Sequence, residues 1–276
     1  MTKIKNFFKN KPVLFSLLMF FLFVVLVNFT PFLYSFINNA MLNYLVSTVC
    51  DLIWPLAITV LLGYGFALKL KGFGKSLIAG AFVLVWYSLL LISDVTNAFA
   101  NPETQWRTVP EIILGVLTML GVGIREEVFF RGIIGNSLAL KYGTTTKGLW
   151  FAVLLSSFMF GCVHLGNLMA GVAPIGVLTQ TIAGTALGSV FIAIYLRGGS
   201  IWIPVIIHAI IDTSGLFAST FTQSTVTIND EISGLSIVNA LVVLPIFLGI
   251  SAFLLRKSKR PAVFARLEEL RGEVYN

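Results

Sequence analysis

Eight apolar stretches, each near the length needed to cross a lipid bilayer, limit what this chain can fold into. They run over roughly 12–35, 44–68, 75–94, 111–140, 148–168, 172–196, 200–219 and 235–255. A helix needs about 20 apolar residues to span the hydrocarbon core. Backbone in lipid must satisfy its own hydrogen bonds, so runs of this length become helices. Of the 276 residues, 57% are apolar and only 11% charged, too few charges to coat a soluble domain of this size. The expected fold is all-α, a polytopic membrane helical bundle with about eight transmembrane helices. No linker or fixed-period repeat divides it, so 1–276 reads as a single integral-membrane domain.

The formal net charge is +7, and its placement decides what it means. Lys3, Lys5, Lys9 and Lys11 precede the first stretch, and Lys69, Lys71 and Lys75 lie between the second and third. Lys141 and Lys147 follow the fourth, and Arg197 follows the sixth. Arg256, Lys257, Lys259, Arg260, Arg266 and Arg271 follow the eighth. Thus 16 of the 19 Lys and Arg residues fall in alternate loops, Arg107 alone falls in an opposite one, and Arg125 and Arg131 lie within a stretch. The positive-inside rule then puts both termini in the cytoplasm of a multi-pass cell-membrane protein. The basic charge is topological and implies the lipid bilayer, not nucleic acid, as partner. The basic N-terminus with its long apolar run reads as an uncleaved signal-anchor helix. In the cytoplasmic tail, 256–276, Val263, Phe264, Leu267 and Leu270 form one stripe, for a helix lying on the membrane or docked under the bundle. Cys50 and Cys162 lack metal-site spacing and read as packing residues. Gly184 and Gly188 form a G-x-x-x-G, read as helix packing.

Ionisable groups inside a bilayer are costly and by default mark function. The chain has two histidines, and both are intramembrane: His164 in FMFGCVHLG and His208 in IPVIIHAIIDTSG. A third stretch carries REEVFFRG. Glu127 and Arg131 are four apart and share a helix face, which makes them the better structural ion pair. Glu126 is rotated about 100° away and is left to point elsewhere. Arg125 has no evident partner in sequence. Phe160 shares a face with His164, and Asp212 shares one with His208. A carboxylate, two imidazoles and a second carboxylate can activate water, directly or through a metal. The structural alternative is a set of helix–helix hydrogen bonds and ion pairs. The chain lacks H-E-x-x-H, G-x-S-x-G, G-x-G-D and a Walker A loop, so zincin, serine-nucleophile, aspartyl and ATP-driven chemistries have no motif here.

EEVFFRG, FGCVH and HAIID resemble, in order, the E-E-x-x-x-R, F-x-x-x-H and H-x-x-x-N/D motifs of the CPBP family. That family comprises CAAX prenyl proteases of the Ras-converting-enzyme type and bacterial Abi or bacteriocin-processing proteins. The resemblance covers about 111–215, with Asp212 where Asn often stands. It implies an intramembrane endopeptidase acting on a membrane-associated or leader-type peptide. Glu126 and His164 would activate the attacking water, and His208 and Asp212 would complete the site. Glu127, Arg131 and Phe160 would give structural support. Members are labelled metalloproteases, and a metal-free, glutamate-dependent mechanism is also described. A divalent metal such as zinc, held by Glu126, His164, His208 and Asp212, and no metal at all are both open. The alternative from another class is a non-proteolytic membrane protein of the same fold, acting in bacteriocin immunity, as a scaffold or on lipid. The spans as drawn put Glu126 near mid-membrane and His164 toward the outer end of its helix, a difference of depth that tilt or longer helices must absorb.

Overall fold

The computed structural model describes residues 9–275, so Lys3 and Lys5 of the basic side lie outside them. Helix α1 (Pro12–Tyr34) opens on a proline whose missing N–H would be an orphan anyway. It is followed by α2 (Ala40–Leu61), capped by the Asn39 side chain, and α3 (Phe73–Ala100). Helix α4 (Val109–Glu127) begins with a capping box in which Thr108 and Glu111 satisfy each other's backbone. It widens into a π-helical segment, Val128–Gly135, and narrows again as α5 (Asn136–Tyr142). Then come α6 (Thr146–Val163), a 3-10 turn (His164–Leu168), and α7 (Pro174–Gly198). Helix α8 (Trp202–Gly215) leads to the short α9 (Phe217–Phe221) and α10 (Ile228–Ser233). Helix α11 (Ile237–Leu254) and the tail helix α12 (Arg260–Tyr275) complete the chain. The fold is an all-α polytopic bundle.

Among the described residues, six helices are long and apolar enough to cross a membrane by length and composition. The two other stretches, 111–140 and 200–219, are helical but fall short of that measure for opposite reasons. The first is long, as α4, the π segment and α5 follow one another directly, but it carries Glu111, Arg125, Glu126, Glu127 and Arg131. The second is apolar but stops after 14 residues at Gly215. These two carry most of the Asp, Glu, Arg and His residues found within the eight stretches, and the parts that hold them, 121–140 and 201–208, are mostly buried, where hydrophobicity facing lipid is not required. The long helices outside them present Phe21, Phe32, Leu61 and Ile78 outward, as a lipid-facing surface demands.

The loops gather at two ends. At one, Lys71 binds Glu269 at 2.9 Å, Trp202 Nε1 donates to the Leu68 carbonyl at 2.9 Å, and Arg266 donates to the Gly199 carbonyl at 3.1 Å. At the other, Gln223 N donates to the Gln105 carbonyl at 2.7 Å, and Asn229 donates to the Ala170 carbonyl at 2.8 Å. The described basic loops and the tail share the first end, as the charge asymmetry requires. Backbones meet closely there: Gly72, in the left-handed region at φ 86°, lies against Gly198 and Gly199 with no room for a Cβ. The tail helix is docked, with Val263, Leu267 and Leu270 buried and Arg266 over the Tyr195 ring. The first apolar stretch is an integral part of the bundle: Phe15 and Phe23 are fully buried, and Phe23 packs on Trp54, Phe129 and Phe130.

Candidate functional site

The site is built where α4 becomes a π-helix. π-Helical turns are rare and concentrate at functional positions. Here the segment starts right after Glu127 and contains Arg131, and all eight of its residues are buried. Arg131 Nη1 donates to Glu127 Oε1 at 2.9 Å, with side chains 2% and 0% exposed. Its other amino group donates to the Gly188 carbonyl at 3.3 Å, and its guanidinium lies 4.1 Å from the Phe160 ring centroid and 5.1 Å from that of Phe191. A cation so desolvated is tolerable only with its charge matched and its donors engaged.

Glu127 has a second partner that the spacing of residues could not disclose. His208 Nδ1 lies 2.8 Å from Glu127 Oε1. The ring therefore donates from Nδ1 to a carboxylate, which leaves Nε2 facing inward. Asp212, the i+4 neighbour on α8, approaches that Nε2 only to 3.4 Å. So the partner that orients His208 is Glu127 on α4, not Asp212 on its own helix. Phe191 stacks on the imidazole at 5.6 Å and Phe160 meets it edge-on at 5.7 Å, fixing its plane from both sides.

Glu126 is 6% exposed. Its Oε2 lies 3.9 Å from His208 Nε2 and, though buried, has no hydrogen-bond partner. A buried acceptor left unsatisfied in this way is a place for water or a ligand group. Its Oε1 is 3.5 Å from Arg125 Nη2. Arg125 itself, unpartnered by sequence reasoning, binds Asp51 of α2 at 2.7 Å. No local pattern could have revealed Asp51, since it lies 74 residues away; an acid inside an apolar stretch is the one signal it carried.

His164 sits where α6 tightens into a 3-10 turn, with the Phe160 ring 5.8 Å away. The depth difference expected from sequence disappears. Glu126 is 16 residues above Tyr142 and His164 is 18 above Thr146, and the two line the same cavity. The fourth stretch, 111–140, is simply longer than the fifth, 148–168, so the middle of the one is level with the outer part of the other. Gly184 of the G-x-x-x-G faces the imidazole directly: a Cβ there would lie 2.9 Å from His164 Cδ2.

Two cavities meet at His164. One, of about 410 Å³, is lined by Glu126, Arg125 and His164 and by Phe23, Val24 and Val27 of α1. The other, of about 240 Å³, holds His208, Asp212 and Gln180, with Phe160, Phe191 and Ile232 among its apolar walls. Glu126, His164, His208 and Asp212 thus line two neighbouring cavities, Glu126 the first, His208 and Asp212 the second and His164 both, with Glu126 Oε2 3.9 Å from His208 Nε2. They do not form a metal cage. Among the described residues no three His, Cys, Asp or Glu side chains converge to hold an ion. Cys50 and Cys162 are free.

The family described as "Type II CAAX prenyl endopeptidase Rce1-like" matches residues 108–214, a stretch that contains all three motifs. This agrees with the resemblance they carry. A curated protein of Bacillus subtilis (strain 168), "Putative membrane peptidase YdiL", is 29% identical over 163 residues, 59% of this chain and 54% of that protein. The chain thus spans about half the length of this curated relative. No solved structure matches the chain.

Proposed function

We propose, for a chain whose 108–214 segment belongs to the Rce1-like family, that it is an intramembrane endopeptidase using Glu126 as general base. The observation that carries this reading is the buried, unpartnered Oε2 of Glu126, aimed at His208 Nε2 from 3.9 Å and sharing a cavity with His164. Glu126 takes a proton from water held between it and His164 as the water oxygen bonds to the scissile carbonyl carbon. The carbonyl oxygen becomes an oxyanion. Protonated His208 donates to it from Nε2, with the ring held in register by Glu127 and Asp212 beside that nitrogen at 3.4 Å. Collapse breaks the C–N bond, and the leaving amine takes the proton that Glu126 had removed. Glu127, Arg131 and Phe160 keep the helices and the His208 ring in place. No step passes through a metal, because the side chains are not arranged as ligands of one. The substrate is a membrane-associated peptide, of the CAAX or leader type, entering the cavity whose α1 wall is apolar. The protein works in the cell membrane with both termini cytoplasmic.

The test uses wild type, Glu126→Gln and His164→Ala in proteoliposomes, with a panel of internally quenched peptides that includes prenylated CAAX and leader-type sequences. Cleavage by wild type and its loss in both folded variants is the expected outcome. Wild-type rates in either variant would sink the mechanism. A physiological activity that survives Glu126→Gln would point instead to a binding role for the fold, the alternative from another class.

A further inference from the structure

Arg125 lies between two carboxylates and is held closely by one, Asp51 at 2.7 Å, and at longer range by the other, Glu126 at 3.5 Å. Helices α2 and α4 run in the same direction and meet at Gly121, where a Cβ would rest 3.7 Å from Thr48 and 3.9 Å from Asp51. One turn earlier Thr48 and Thr118 share a hydrogen bond of 2.7 Å, so the register of the two helices is set independently of charge. In that register Asp51 Oδ2 takes Arg125 Nη1 at 2.7 Å, while Nη2 stops 3.5 Å short of Glu126 Oε1 and Nε has no partner. All three side chains are at most 15% exposed. The guanidinium keeps an unpartnered Nε and only a long Nη2 contact next to a carboxylate whose Oε2 has no hydrogen-bond partner. That is the geometry of a bidentate pair held open.

We infer that Asp51 is a positioning residue: by anchoring Arg125 it keeps the guanidinium from closing on Glu126, so the Glu126 carboxylate stays free to face His208 and a substrate water. The inference rests on Glu126 being the general base. Without the anchor, Arg125 would be a buried cation whose nearest compensation is Glu126. Closure would spend both carboxylate oxygens on Arg125 and turn Oε2 from the 3.9 Å approach to His208.

The test compares Asp51→Asn, Asp51→Glu and the double variant Asp51→Asn/Arg125→Gln in proteoliposomes, on the panel peptide that wild type cleaves fastest. Asp51→Asn should lower kcat by at least ~10-fold, the scale of loss expected from a misplaced catalytic group, with KM within about twofold of wild type. The double variant, which has no guanidinium to close, should return to within about threefold of wild type, as should Asp51→Glu. A second readout needs no substrate. The infrared carboxylate stretch assigned to Glu126, by its absence in Glu126→Gln, should shift in Asp51→Asn and return in the double variant. Were Asp51→Asn not to fold, the double variant, which leaves no unpaired charge, carries the same expectation. Wild-type kcat and an unmoved Glu126 band in Asp51→Asn would overturn the inference, as would a double variant as slow as the single one. Loss of activity in Glu126→Gln alongside either result would show that the base assignment stands and only the role of Asp51 is wrong.

Discussion

Arg131 joins stability to the site. Its guanidinium, 2% exposed, is matched by a Glu127 that is wholly buried and that also holds His208 at 2.8 Å. Arg131→Met would take from the buried Glu127 its guanidinium partner and leave it only the His208 ring. Breaking one side of a buried pair costs about 3–5 kcal/mol, so the variant should unfold at distinctly lower temperature in detergent micelles. Replacing Glu127 and Arg131 together by apolar residues should recover much of that loss, because the double change leaves no charge stranded. It should not recover cleavage, since His208 loses the acceptor for Nδ1. Recovered cleavage would mean that Glu127 does not orient His208. At this scale the i,i+4 reading of REEVFFRG was sound: the pair forms across the π-helical turn, and Glu126 points elsewhere. The 2.8 Å contact from Glu127 to His208 was beyond it, because 81 residues separate them and only the packing of α4 against α8 brings them together.

Among the elements, the approach of α6 to α7 governs where His164 sits. The G-x-x-x-G of α7 lets the helices close up, but its two glycines face different things. Gly188 abuts Ser157 and Phe160, while Gly184 abuts the His164 ring. Gly184→Ala brings a methyl group to within 2.9 Å of His164 Cδ2 and 3.1 Å of Nε2, closer than side chains tolerate. The imidazole can swing away more easily than the helices can part, so kcat should fall at least ~10-fold, as for other small displacements at a site, while the melting temperature changes little. A full-activity Gly184→Ala enzyme would show that the position of His164 is not critical. The motif was legible in sequence as packing; that one of its glycines sets the seat of a histidine required the helix pairing.

The whole molecule is organised by its two ends. The charge asymmetry and the contacts agree in putting Lys69, Lys71, Arg197 and the tail at one end and the 101–108 and 222–235 loops at the other. If the basic end is cytoplasmic, Lys257→Cys in a variant without Cys50 and Cys162 should resist a membrane-impermeant maleimide in intact cells, and Thr104→Cys should react. The reverse pattern would invert the topology. The tail helix belongs to this scale too. Arg266 donates to the Tyr195 and Gly199 carbonyls at 2.9 and 3.1 Å, binding α12 to the end of α7. Arg266→Ala should make the tail an early site of limited proteolysis without altering the bundle.

The sequence by itself determined that this is a helical membrane protein, which residues in it are costly to bury, and which of them share a helix face. Those properties follow from hydropathy and from a 3.6-residue period, both local. It could not determine depth, because stretches of unequal length, such as 111–140 and 148–168, are not level at their middles, nor partners across helices, because Asp51 with Arg125 and Glu127 with His208 are matched by packing alone. Only the tertiary structure decided that four of the intramembrane groups line two neighbouring cavities that share His164. The physical reason is that a buried charge takes as partner whichever group the fold brings within reach, and that reach is set in space, not along the chain.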